Sequence, residues 1–321
     1  MTDTPIINGN KQYLLTRGEC KNNPVLLYLH GGPGTPDFFF VADTLKPLEK
    51  LFTICYWEQR GAGRSYATLT DKQLLTLEQM ILDAEAVSQY LLQKFGQAKI
   101  YVLGQSWGTF LGSMLVQRYP GLFHAYLSVG QVTDQYSSEL ESYRFVEEQA
   151  TIRGDNGVLR KLKTLAVPAR DAGATAWFRY LNFERRYVAS YRGSMHSRNI
   201  FVLAIWKLLT CKTYALTDKL NYIKGSSLSF DKLWAEIITI KINEAVPVYQ
   251  IPVYFFHGVH DHHTYYEGAK NYFINLTAPL KRFYSFPEAA HFPHVEDFQA
   301  FERIVKEDVL SRKIGKQDSV V

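Results

Sequence analysis

Lys99-Ile100-Tyr101-Val102-Leu103-Gly104-Gln105-Ser106-Trp107-Gly108 joins a short β-rich apolar run to the start of a helical pattern. The junction has the form G-x-S-x-G. Five residues of that form carry little information alone; the strand before them and the helix after them make the match specific. A serine on such a sharp turn has a strained backbone, and the following helix packs close to the strand, so small residues must flank it. Gly108 and Gly112 fall on one helical face, which permits that approach. Ser106 is therefore the first candidate for a nucleophile.

Working outward, five more apolar runs read as strands: residues 24–29 (PVLLYL), 52–57 (FTICYW), 125–129 (AYLSV), 252–256 (PVYFF) and 281–285. Near-continuous runs of this kind suit parallel strands buried on both faces. Helical patterns lie between them, at 38–51, 77–94, 107–119, 265–276 and 295–310. In the second of these, Met80, Ile81, Ala84, Val87 and Leu91 mark the apolar face. The alternation predicts an α/β protein with a mostly parallel sheet flanked by helices. Between about residues 132 and 245 it lapses into a long helical stretch rich in aromatics and Arg. Strand–helix alternation then resumes, so the expected organisation is a core domain, 1–131 and 246–321, with an inserted helical cap, 132–245. The polar end 311–321 is expected to fray.

Composition narrows the class. Of 321 residues, 46% are hydrophobic and 21% charged, which excludes a disordered or collagen-like chain. The net charge of +5 comes from basic residues spread along the chain, so no nucleic-acid partner is expected. Cys20, Cys55 and Cys211 are widely spaced and support neither a disulfide framework nor a zinc knuckle. No apolar run reaches the roughly 18 residues of a membrane span, so no membrane partner is expected. The opening MTDTPIING has no basic stretch followed by an apolar one. A cytoplasmic protein acting on a small molecule is the simplest expectation, with oligomeric state left open.

A serine nucleophile needs oxyanion donors, a base and an acid that orients the base. His30-Gly31-Gly32-Pro33-Gly34 follows the first long strand, and its glycines let a backbone N–H aim into an open site. A phosphate cradle would want G-x-G-x-x-G or a Walker-type Lys, and neither follows. The second donor would be the N–H of Trp107. In a strand–turn–helix site of this kind the chain order runs serine, acid, histidine. Asp261 and, thirty residues on, His291 supply that order, each in a loop after a strand. His294 is the rival base. Glu296 and Asp297 suit the first turn of a helix. The cluster His257, His260, His262, His263 around Asp261 invites a metal reading, but its spacing matches no metal-ligand pattern. Residues 58–65 (EQRGAGRS) read as a structural loop tied down by charge pairs. The chemistry needs no cofactor and no metal.

Together H-G-G-P-G, E-Q-R-G-A-G-R-S, G-Q-S-W-G, G-V-H-D and A-A-H-F resemble the α/β-hydrolases of the proline iminopeptidase group, over about residues 25–130 and 251–301. The resemblance implies an α/β-hydrolase fold with a helical cap. It implies Ser106 as nucleophile, His291 as base, Asp261 as its orienter, and Gly32 and Trp107 as oxyanion donors. His30, Gly31, Trp177 and Glu184 are the implied substrate-binding candidates. The chain departs from the group at Glu58, where Asp is usual, and at Ala290, where Gly is usual. Family peptidases bind the substrate's amino group with cap glutamates, one of them in a Trp-x-x-Trp-Glu stretch. Here the matching text is WFRYLNFE (177–184), followed by Arg185 and Arg186, two cations that compete for the same carboxylate. Glu236 and Glu244 are possible substitutes. The reading is a serine hydrolase cleaving a bulky ester or lactone, macrocycles included, or an amide through an acyl-enzyme on Ser106. An aminopeptidase is the alternative, and a ligand-binding protein or lyase on the same fold stands behind it.

Overall fold

In the computed structural model, which describes residues 1–20 and 22–311, every sequence-expected strand is present. The chain opens with short elements: β1 (Thr2–Asp3), a hairpin of β2 (Ile6–Ile7) and β3 (Asn10–Lys11), then β4 (Tyr13–Arg17). The long strands follow: β5 (Val25–Leu29), β6 (Thr53–Glu58), β7 (Ile100–Gln105), β8 (Phe123–Val129), β9 (Val253–Gly258) and β10 (Lys281–Phe286). All but the hairpin form one sheet in the order β1-β4-β6-β5-β7-β8-β9-β10. Strands β5 to β10 are mutually parallel; β4 pairs antiparallel with β6, and β1 with β4.

The first four short strands were not expected from the sequence. β4 is only half buried, with Leu14 and Thr16 turned inward, so it lacks the continuous apolar run of the central strands. Along those central strands the side-chain period of two divides the core into two layers. Val25, Leu27 and Leu29 face one, with Cys55 and Trp57; Leu26 and Tyr28 face the other, with Ile54 and Tyr56.

The flanking helices are α1 (Phe38–Leu45), α2 (Leu77–Phe95), α3 (Trp107–Arg118), α10 (Tyr266–Asn275), α11 (Pro293–Glu296) and α12 (Phe298–Ile304). In α2 the expected apolar face is buried; Thr76 caps its start and Gly96, at φ +62°, its end. Two expected helices are shorter than read. The pattern at 38–51 breaks into α1 and a 3-10 turn, Lys46–Lys50, which carries Pro47 in its first turn. The pattern at 295–310 is interrupted at Asp297, whose side chain caps Ala300 N–H at 3.2 Å instead. The polar end after Ser311 lies outside the described residues.

Between β8 and β9 come α4 (Gln135–Arg153), α5 (Asn156–Thr164), α6 (Ala174–Ser190), α7 (Ile200–Thr210), α8 (Leu216–Thr239) and α9 (Ile242–Ala245). Trp177 of α6 packs against Tyr136, Tyr180 and Trp234, an aromatic core that holds α4, α6 and α8 together. The sheet positions the site through its switch point. From β5 the chain passes to β6 on one side, then returns across β5 to β7 on the other. The carboxyl ends of β5 and β7, Leu29 against Gly104, therefore lie side by side, where open α/β sheets bind ligands.

Candidate active site

Ser106 stands between β7 and α3 at φ 55° and ψ −121°, a strained conformation for a non-glycine residue that costs of order 1–3 kcal/mol. Its neighbours hold it there. Ser106 N–H donates to Val129 O at 3.0 Å, and Thr109 donates both N–H and Oγ1–H to Ser106 O at 2.7 Å. The flanking glycines answer a packing demand. A Cβ on Gly108 would stand 2.0 Å from Leu29 O, and one on Gly112 would meet the Tyr126 ring at 2.9 Å.

The loop after β5 arrives from the neighbouring strand. A Cβ on Gly31 would lie 3.3 Å from Ser106 Cβ, so this loop runs against the serine. Gly32 has φ +120°, which its missing side chain allows. Neither Gly32 N–H nor Trp107 N–H donates to another protein group among the described residues. Gln59, which the sequence reading left inside a structural loop, braces both segments. Its amide donates to His30 O at 3.3 Å and accepts from the Trp107 indole at 2.9 Å. Its backbone N–H donates to His30 Nε2, so the His30 proton sits on Nδ1 beside Gly31 O. Burial pushes His30 down to about 4. His30 is thus a buried support, while Gly31 and Gly32 border the cavity. The rest of that loop behaves as read, with Arg60 paired to Asp83 and Arg64 to Glu58.

Asp261 and His291 meet from the loops after β9 and β10. Asp261 Oδ2 lies 2.8 Å from His291 Nδ1. Its Oδ1 accepts the N–H groups of His263 and Thr264 at 2.8 and 3.0 Å, and Oδ2 accepts Thr264 Oγ1–H at 2.7 Å. Burial would raise this carboxyl, but His291 and the hydrogen bonds from His257 and His291 hold it well below the usual carboxylate range. His291 N–H is tied to Ser194 O, and the His263 ring stacks on His291 at 4.8 Å. Ser106 Oγ and His291 face one cavity, and Oγ makes no hydrogen bond to protein among the described residues.

The other histidines diverge. His260 stacks on His196 and His262 on Phe145. His257 donates to Thr264 O. His294 is fully buried between Phe292 and Phe301, neither ring nitrogen has a hydrogen-bond partner among the described residues, and burial pushes it down to about 3. It does not border the cavity. Glu296 accepts backbone N–H groups from Ala290, His196 and Ser197 and so fastens the loop that carries His291.

The cavity measures about 940 Å³. Phe178, Leu181, Phe230, Trp234 and Ile237 supply much of its apolar wall, and Arg185 and Arg186 reach it as well. Two sequence candidates lie behind that wall. Trp177 is wholly buried in the aromatic core. Glu184 is wholly buried too, accepting from Ser142 Oγ–H and paired with Arg185 at 2.6 Å; Arg185 also engages Glu139. Of the possible substitutes, Glu236 accepts Leu77 N–H and Glu244 pairs with Lys241. The carboxylate that does border the cavity is one the sequence did not flag. Asp37 accepts Tyr28 O–H on Oδ2 at 3.0 Å, its Oδ1 has no partner among the described residues, and burial pushes it up to about 7.

Residues 24–298 match the family described as alpha/beta hydrolase fold. A probable aminopeptidase of Bacillus subtilis (strain 168), YbaC, is 31% identical over 298 residues, 92% of each chain. Two solved structures share the fold. A proline iminopeptidase-related protein of Thermus thermophilus superposes with TM-score 0.67 at 16% identity, over 97% of each chain. An Exiguobacterium antarcticum esterase superposes with TM-score 0.67 at 15% identity, over 97% of this chain and 100% of the esterase.

Proposed function

The chain belongs to the α/β-hydrolase family, and from that premise we propose that it is a serine hydrolase of carboxylic esters or lactones with bulky apolar acyl groups. Ser106 Oγ attacks the carbonyl while His291 takes its proton. Asp261 keeps the His291 proton on Nδ1, leaving Nε2 as the base. The N–H groups of Gly32 and Trp107 receive the oxyanion, each worth about 3–4 kcal/mol by comparison with measured donors. Collapse expels the alcohol, protonated by His291, and water then releases the acid from Ser106. The helical segment 132–245 acts as the cap that shapes the acyl pocket.

One observation carries the choice of ester over N-terminal peptide. The family-type glutamate, Glu184, is spent on Ser142 and Arg185 behind the cavity wall. The test is a matched panel on purified protein: a prolyl arylamide, its N-acetyl form, and aryl esters of increasing bulk, with Ser106→Ala as blank. Ester turnover indifferent to a free amine supports the reading; preference for the free-amine arylamide overturns it. In the same panel Glu184→Gln is expected to leave the free-amine to N-acetyl ratio unchanged. It should instead lower stability by about 2 kcal/mol, because it removes a carboxylate that faces half-buried Arg185; thermal or urea unfolding measures this.

A second reading rests on Asp37 and on the relative named an aminopeptidase. Asp37 borders the cavity, and its Oδ1, which has no partner among the described residues, suits a substrate ammonium. Since Asp37 is pushed up to about 7, it carries its charge only above that pH. Under this reading KM for the free-amine arylamide falls several-fold as pH rises from about 6 to 8. Asp37→Asn abolishes that fall and leaves the N-acetyl form untouched. A flat KM in the wild type removes the aminopeptidase reading.

A further inference from the structure

Helix α7, IFVLAIWKLLT, is apolar almost throughout, yet one side of it is left in solvent. Val202, Ile205, Trp206 and Leu209 are each more than half exposed, at spacings of three, one and three residues, the outer stripe of a helix. α8 begins after five intervening residues and adds Leu216, Leu220 and Ile223, each at least half exposed. The opposite side of α7 contributes Ile200, Ala204 and Leu208 to the cavity. Val202 and Ile205 do both: they are exposed, and they border the cavity. One apolar surface therefore runs from solvent to the chamber that holds Ser106.

The charge of this stretch of chain is one-sided. From residue 192 to 224 there are six basic residues (Arg192, Arg198, Lys207, Lys212, Lys219, Lys224) and one acidic residue, Asp218. That excess of five equals the net charge of the whole chain, +5. Lys207 is paired with Asp43, while Arg198, Lys212 and Lys224 are exposed. Apolar stripes with an aromatic residue, rimmed by lysine and arginine, are what an interfacial helix presents to anionic lipid. Self-association through this face is disfavoured, because a two-fold interface would set the cations against one another.

We propose that α7 and the start of α8 dock on an anionic phospholipid surface, so that acyl substrates dissolved in the lipid enter the cavity past Val202 and Ile205. No helix among the described residues is long and apolar enough to cross a membrane; the contact is peripheral. The sequence expectation of no membrane partner weighed only spanning segments. Docking stands independently of the hydrolase reading, whereas delivery of an ester rests on it.

The test separates the two. Full-length protein and its Ser106→Ala variant are sedimented with vesicles of phosphatidylcholine alone, or with one third phosphatidylglycerol, in low and high salt. Binding to the anionic vesicles is expected to exceed binding to the neutral ones by at least about tenfold and to weaken with salt. Trp206→Glu with Leu220→Glu should cut it about tenfold, while a short water-soluble ester is hydrolysed as by wild type. Lys212→Gln with Lys224→Gln removes charge without touching the apolar stripe, and should weaken only the anionic component. Absence of vesicle binding overturns the proposal, as does equal binding to both vesicle types. So does a wild-type dimer in solution that Trp206→Glu with Leu220→Glu dissociates. A vesicle-borne long-chain ester reads delivery. If wild type and the Trp206→Glu/Leu220→Glu variant hydrolyse it equally, delivery is overturned. If wild type binds vesicles but cleaves no ester, docking stands and the ester reading fails.

Discussion

Ser106→Ala is expected to lower kcat by about 10⁵–10⁶-fold with the fold intact, since in the proposed mechanism removing the nucleophile disables the catalytic unit as a whole. The structural cost should be within about 0.5 kcal/mol. Ser106 Oγ makes no hydrogen bond to protein among the described residues, so its loss orphans no buried partner. Alanine keeps the Cβ, and the bonds to Val129 O and from Thr109 use backbone atoms of residue 106. The strained turn is therefore retained without its hydroxyl. A fluorophosphonate probe should label the wild type once, on the peptide containing Ser106, and the variant not at all. Residual activity within about tenfold of wild type, or labelling on another serine, would discard Ser106 as nucleophile.

Asp261→Asn is expected to cost about 10⁴-fold in kcat, with KM little changed. The physical argument lies in its four hydrogen-bond partners. Oδ1 accepts two backbone N–H groups, and an asparagine carbonyl can keep both. The new amide nitrogen must then replace Oδ2, where it faces Thr264 Oγ1 and His291 Nδ1. An N–H donor there forces Nδ1 to accept, which moves the imidazole proton to Nε2 and removes the base. The wild-type carboxyl is held well below its ordinary range. Its stabilising contribution is thus complete above about pH 4 and is lost only as pH falls through the lowered folded value. Kinetics and acid unfolding of the two proteins check both halves. Activity within a few-fold of wild type in Asp261→Asn would mean that another acid orients His291.

Much of this arrangement was legible because it is written locally. The G-x-S-x-G turn is marked by its own residues between a strand and a helix, and near-continuous apolar runs marked the central strands because both of their faces are buried. The pairing of Asp261 with His291 followed from chain order and from loops at strand ends. Strands β1 and β4, at one end of the sheet, escaped notice for the converse reason: an exposed face leaves no apolar run. Gln59 belongs to the site through His30 and Trp107, neighbours far along the chain, and no short motif marks such contacts.

By itself the sequence determined the strand–helix alternation of a mostly parallel α/β sheet, the strained turn at Ser106 and the strand ends that bring Asp261 and His291 together. These are consequences of backbone sterics and hydrophobic patterning, which a few adjacent residues encode. Tertiary structure alone decided which carboxylate meets the cavity and which face of a nearly all-apolar helix meets solvent. Glu184 is sequestered by Ser142 and Arg185, whereas Asp37 borders the cavity with Oδ1 left without a partner among the described residues. In α7 the apolar pattern goes nearly all round, so periodicity names no side. Burial and charge pairing are properties of long-range neighbours, and those neighbours exist only once the chain has folded.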